Sequence, residues 1–60
     1  MARRYYAYEL PMVPSGRPWV PVIVHFANGR SSRGSYHPSG KFFANGTDVT
    51  KRIVYWEYDK

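Results

Sequence analysis

The chain has 60 residues, no cysteine, and nine Lys and Arg against four Asp and Glu, a net charge of +5. That length allows one domain, residues 1–60, burying only about 60% of the surface its unfolded form exposes. Without cysteine there is no disulfide framework and no thiolate metal site, and no run reaches the ~18 apolar residues that span a bilayer, so no membrane partner is expected and aromatic packing, at 18% of residues, or an oligomer interface is expected to compensate for the small core.

The start, Met1-Ala2-Arg3-Arg4-Tyr5-Tyr6, lacks the apolar stretch of a signal peptide, so the chain is expected to stay in the cytoplasm in which it is made. Tyr5 to Leu10 alternates, with Tyr6, Tyr8 and Leu10 on one face and Tyr5, Ala7 and Glu9 on the other, which predicts a first strand. Pro11, Pro14, Ser15-Gly16 and Pro18 then make an extended connection, because proline lacks the amide donor a ladder needs. Trp19 to Ala27 is the strongest strand, with Val20, Val22, Val24 and Phe26 opposed to Pro21, Ile23, His25 and Ala27. Asn28-Gly29 supplies the pair of positive-φ residues of a two-residue hairpin turn, with Arg30 to His37 returning. A turn that tight sets Arg33 and Ser35 opposite Val24 and Val22 and points Ile23 to the core; a longer loop through Arg30-Ser31-Ser32-Arg33 would shift the register.

His37-Pro38-Ser39-Gly40 makes the next turn, Lys41 to Ala44 a short strand, and Asn45-Gly46 another turn. Residues 47–51 suit a single helical turn capped by Thr47 or Asp48. Arg52 to Tyr58 is the last strand, with Val54, Trp56 and Tyr58 on the core face and Ile53, Tyr55 and Glu57 on the other. The expected fold is all-β, a small antiparallel meander or partly closed barrel of four to five strands, with the Tyr5 to Leu10 strand and the last strand as its edges.

Chemistry is sparse. Between Glu9 and Asp48 there is no carboxylate, yet Arg17, Arg30, Arg33 and Lys41 fall there, interleaved with Trp19, Phe26, Tyr36, Phe42 and Phe43. His25 and His37 are the only imidazole bases, one inside a strand and one in a solvated turn, and Glu57 and Asp59 share a face of a terminal strand, so no acid-base or nucleophilic site assembles and an enzyme is not expected. The histidines are too far apart in sequence for a zinc pair, and no metal or other cofactor is expected. Gly29-Arg30-Ser31-Ser32-Arg33-Gly34 has the small residues and arginines of a phosphate cradle but no following helix. Asn45-Gly46-Thr47, a glycosylation triplet, reads as a turn.

The order of these features resembles a family of small phage and prophage proteins of unknown function. The resemblance runs over residues 9–56 and is carried by Glu9-Leu10-Pro11, Gly16 ahead of Val22-Ile23-Val24, Asn28-Gly29-Arg30, Gly34-Ser35-Tyr36-His37, Gly40-Lys41-Phe42, Asp48-Val49-Thr50 and Tyr55-Trp56. The chain departs from it in the inserted Lys51-Arg52-Ile53-Val54, in an ending without proline and in Arg-Tyr-Tyr where the family has Trp-Ile. What the resemblance implies is a viral accessory product with no activity to carry over.

The expectation is a non-enzymatic protein that binds a host protein or complex, in the host cytoplasm, and modulates or inhibits it. Arg17, Trp19, Arg30, Arg33, Tyr36 and Lys41 are the expected contact residues, since Tyr, Trp and Arg are enriched at interface hot spots. The competing reading is a nucleic-acid module that stacks bases on Tyr5, Trp19, Tyr36, Phe42 and Tyr55 beside the same cations. Self-association through strand edges is the third.

Overall fold

A computed structural model of the chain describes residues 3–59, in which β-branched and aromatic segments pair into one antiparallel sheet with no helix. Its strands are β1 (Tyr5–Tyr6), β2 (Val20–Phe26), β3 (Ser31–His37), β4 (Lys41–Ala44), β5 (Thr47–Asp48) and β6 (Ile53–Tyr58), in spatial order β1-β6-β2-β3-β4-β5. The all-β meander expected from the sequence is present from β2 to β5, and β6 returns to lie beside β2. The strands number six rather than four or five. The last strand is interior and β5 is the second edge. The first strand stops at Tyr6, and the single turn expected at residues 47–51 begins only at Val49, because Thr47 and Asp48 pair with Ala44 and Phe43.

The sheet is open but curled. Four interstrand spacings separate β6 from β5, about 19 Å if flat, yet only residues 49–52 join them. Those residues are folded tightly, with the Arg52 and Ile53 amides donating to the Val49 carbonyl at 2.8 and 3.2 Å. Curling encloses one face, which Val20, Val22, Val24, Tyr36, Phe42, Ala44, Val49, Ile53 and Trp56 fill.

Register decides which side chains enter that core. The β2–β3 hairpin pairs Val20 with Tyr36, Val22 with Gly34 and Val24 with Ser32, so the three valines are buried and Ile23 lies on the open face. The expected two-residue turn is replaced by a longer loop in which the Gly29 amide donates to the Phe26 carbonyl at 3.0 Å and only Gly29 has positive φ. That one-residue difference in pairing exchanges the two faces. The paired positive φ values occur instead at Asn45 (54°) and Gly46 (76°), the two-residue turn between β4 and β5. In β6 a bulge opposite His25 and Phe26 skips Val54 and brings Ile53 into the core ahead of Trp56.

Candidate functional site

Residues 7–19 leave β1 and cross to β2 without joining a ladder, as their three prolines require. The segment is nevertheless fastened. The Trp56 indole Nε1–H donates to the Glu9 carbonyl at 2.6 Å, the Met12 amide donates to the Tyr58 hydroxyl at 3.1 Å, and the Ala7 amide donates to the Val54 carbonyl at 3.1 Å. Pro11 is buried and Ala7 and Val13 pack on the core. Odd positions from 7 to 13 are the more buried and even ones the more exposed, around a turn in which the Glu9 amide donates to the Tyr6 carbonyl at 2.9 Å. The outward row is Tyr6, Tyr8, Leu10 and Met12, at 49, 79, 62 and 79% exposure. Tyr6 and Tyr8 stack with centroids 5.5 Å apart, and Tyr6 leans on Tyr55 at 5.3 Å. Four successive outward positions thus carry large apolar side chains, with Trp19 and Tyr58 exposed as well.

The six contact residues expected from the sequence do not converge. Arg17 and Trp19 are exposed just ahead of β2, and Lys41 opens β4 at that same end of the sheet. Arg30 lies at the opposite end, in the β2–β3 hairpin. Arg33 stands on the open face, 3.7 Å from the Asp59 carboxylate, so one of the central cations does have an acid neighbour. Tyr36 is corrected outright: it is 4% exposed and packed on Phe42 at 4.8 Å, because it lies opposite Val20 on the face of the buried valines. The expected base platform loses Phe42 to the core for the same reason, and Tyr5 stacks on Trp56 at 4.5 Å. The segment 29–34 is no cradle, since residues 31–34 belong to β3.

The row Tyr8, Leu10 and Met12 was missed by choosing arginines and central aromatics. The available signal was large apolar residues at positions 6, 8, 10 and 12, with Pro11 among them and Pro14 after them to keep the segment out of a ladder.

Polar groups on the open face are partnered. His25 Nε2 meets Glu57 Oε1 at 2.9 Å, both half-buried, so Glu57 is part of an interior strand's pairing rather than a solvated edge. His37 is half-buried too, 3.1 Å from the Ser35 hydroxyl and edge-on to Phe43. A Ser-His contact and a His-Glu contact therefore exist, but on different histidines, and neither completes a nucleophile-base-acid relay. Asp48 Oδ1 accepts from the Thr50 hydroxyl at 2.6 Å and the Thr50 amide at 3.0 Å. The Thr50 hydroxyl bond, then the amide bond, and the charges of Lys41 and Lys51 hold the Asp48 carboxyl below the usual carboxylate range, outweighing slight desolvation. Among the described residues no group of three His, Cys, Asp or Glu side chains could hold a metal ion, and no helix is long and apolar enough to cross a membrane.

Comparison with protein-family models, with curated proteins and with solved structures gives no match for this chain.

Proposed function

We propose that this protein is a non-catalytic recognition module that binds a protein partner through the row Tyr6, Tyr8, Leu10 and Met12, and that it modulates or inhibits the partner by covering its surface. The observation that carries the reading is the outward alternation itself. Scattered exposed apolar residues are ordinary, but four at successive outward positions of a fastened segment form a contiguous patch of the kind that marks interaction sites. Leu10 and Met12 favour a protein over a nucleic acid, because aliphatic side chains offer a base neither stacking nor charge. The total accessible surface is 4551 Å², so a standard interface of about 800 Å² would take roughly a sixth of it. The resemblance to phage and prophage proteins makes a host protein or complex the natural partner. Tyr58, whose hydroxyl accepts from the Met12 amide at 3.1 Å, lies beside the row.

A photo-crosslinking phenylalanine analogue placed at Tyr8 tests the site. In nuclease-treated bacterial lysate it should join one protein species, whereas the same analogue at Ser39, on the β3–β4 turn, should not. Cross-links only between two copies of this chain would make the row a self-association surface.

A further inference from the structure

We infer that the end of the sheet formed by the β2–β3 hairpin binds single-stranded nucleic acid. The inference rests on other residues than the protein-binding row, which it touches where Tyr6 leans on Tyr55 at 5.3 Å. Two grooves meet at this end, of about 590 and 440 Å³, and Phe26 and Ala27 line both. The first is also lined by Asn28, Arg30, Asn45 and Arg52, the second by Arg4, His25 and Tyr55. No carboxylate lines either one. The ion pairs among the described residues are His25 with Glu57 and Arg33 with Asp59, so Arg4, Arg30 and Arg52 are exposed guanidinium groups without an acid partner there. Glu57, on the neighbouring strand, is turned onto His25.

An acidic peptide would also satisfy three arginines. What favours a nucleic acid is the presence of rings beside the charges: Phe26, half-buried and packed against the core, lines both grooves, and half-buried Tyr55 lines the second with Arg4. Stacking on those rings is open only to unpaired bases, which selects a single strand over a duplex. Asn28, Asn45, Ser31 and Ser32 supply neutral donors along the first groove.

The test is fluorescence anisotropy with labelled oligothymidylate and oligouridylate of roughly 12 nucleotides, a length within the range single folds of this size cover. Three phosphate contacts predict a slope of log affinity against log salt of about −2, at about −0.7 per contact. Arg30→Ala and Arg52→Ala should each flatten it by about 0.7, while Arg17→Ala leaves it unchanged. Tyr55→Leu should weaken binding by about fivefold or more without changing the slope. All four side chains are surface or half-buried, and each variant's melting temperature separates lost binding from lost fold. Leu10→Ser with Met12→Ser must leave the strand affinity intact, so this site and the protein-binding row fail separately. The inference is overturned by no binding at low salt, by slopes unmoved in both arginine variants, by equal affinity for duplex, or by polyglutamate displacing the strand at equal charge, which would assign the grooves to an acidic protein segment.

Discussion

The Trp56 indole reaches across 47 positions of sequence to donate its Nε1–H to the Glu9 carbonyl at 2.6 Å, while its ring, 1% exposed, stacks on Tyr5. One side chain thus anchors the core and fastens the segment that displays the apolar row. Trp56→Phe keeps an aromatic ring but leaves the Glu9 carbonyl without this donor, at a cost of about 2 kcal/mol, or roughly 10 °C in Tm for so small a domain. Limited proteolysis should then cut within residues 9–18 faster than in Phe42→Leu protein of matched Tm. Equal cutting in the two variants would mean that the indole bond does not hold the segment.

Gly34 lies opposite Val22 of β2 and Ala44 of β4. A Cβ there would press directly on the Phe43 carbonyl oxygen, which is backbone and cannot rotate away. Gly34→Ala should cost about 1–3 kcal/mol in chemical denaturation, and Ser35→Ala next to it much less. A neutral Gly34→Ala would show that the β3–β4 pair is spaced differently.

The two Asn-Gly dipeptides differ in a way that substitution can read. Asn45 has a φ of 54°, whereas Asn28 keeps an ordinary negative φ and accepts a bond from the Arg30 amide at 2.9 Å. Asn45→Ala should therefore cost about 1–2 kcal/mol of left-handed strain and Asn28→Ala less than that. Gly29→Val, at φ 85°, should be worse than either. Equal losses at Asn28 and Asn45 would contradict the assigned turns.

Asp48 links pH to the β4–β5 end. Its folded carboxyl titrates below the ordinary aspartate value of 3.8, so its contribution to stability is full above that pH and is lost as pH falls below it through the folded value. Asp48→Asn should have a lower Tm than wild type at neutral pH, and the gap should close on acidification below about 3.8. A gap that stays constant down to strong acid would show that the Thr50 bonds do not depend on the charge.

Much of the fold was legible because local chemistry dictated it. The apolar run from Val20 to Phe26, the bounds of β4 and the placement of Trp56 followed from alternation and turn residues. Register was not legible, since an Asn-Gly pair is compatible with both a two-residue turn and a longer loop, and the choice between them put Val20, Val22 and Val24 in the core and Ile23 on the open face. The bulge that buries Ile53 left no mark in the alternation of Arg52 to Tyr58. Exposure was not legible for a related reason: composition marks which residues suit an interface, whereas exposure is fixed by packing at a distance, here by Trp56 and Tyr58 holding the far connection with its even positions outward.

The central claim is that the outward row binds a protein, and the most direct measurement is affinity capture from nuclease-treated bacterial lysate, washed at high salt, comparing wild type with Leu10→Ser/Met12→Ser. Both side chains are exposed, so the variant should keep its Tm. The account predicts a protein partner retained by wild type under those conditions, since apolar contact is not screened by salt, and lost by the variant. Retention of the same partner by both proteins would contradict it.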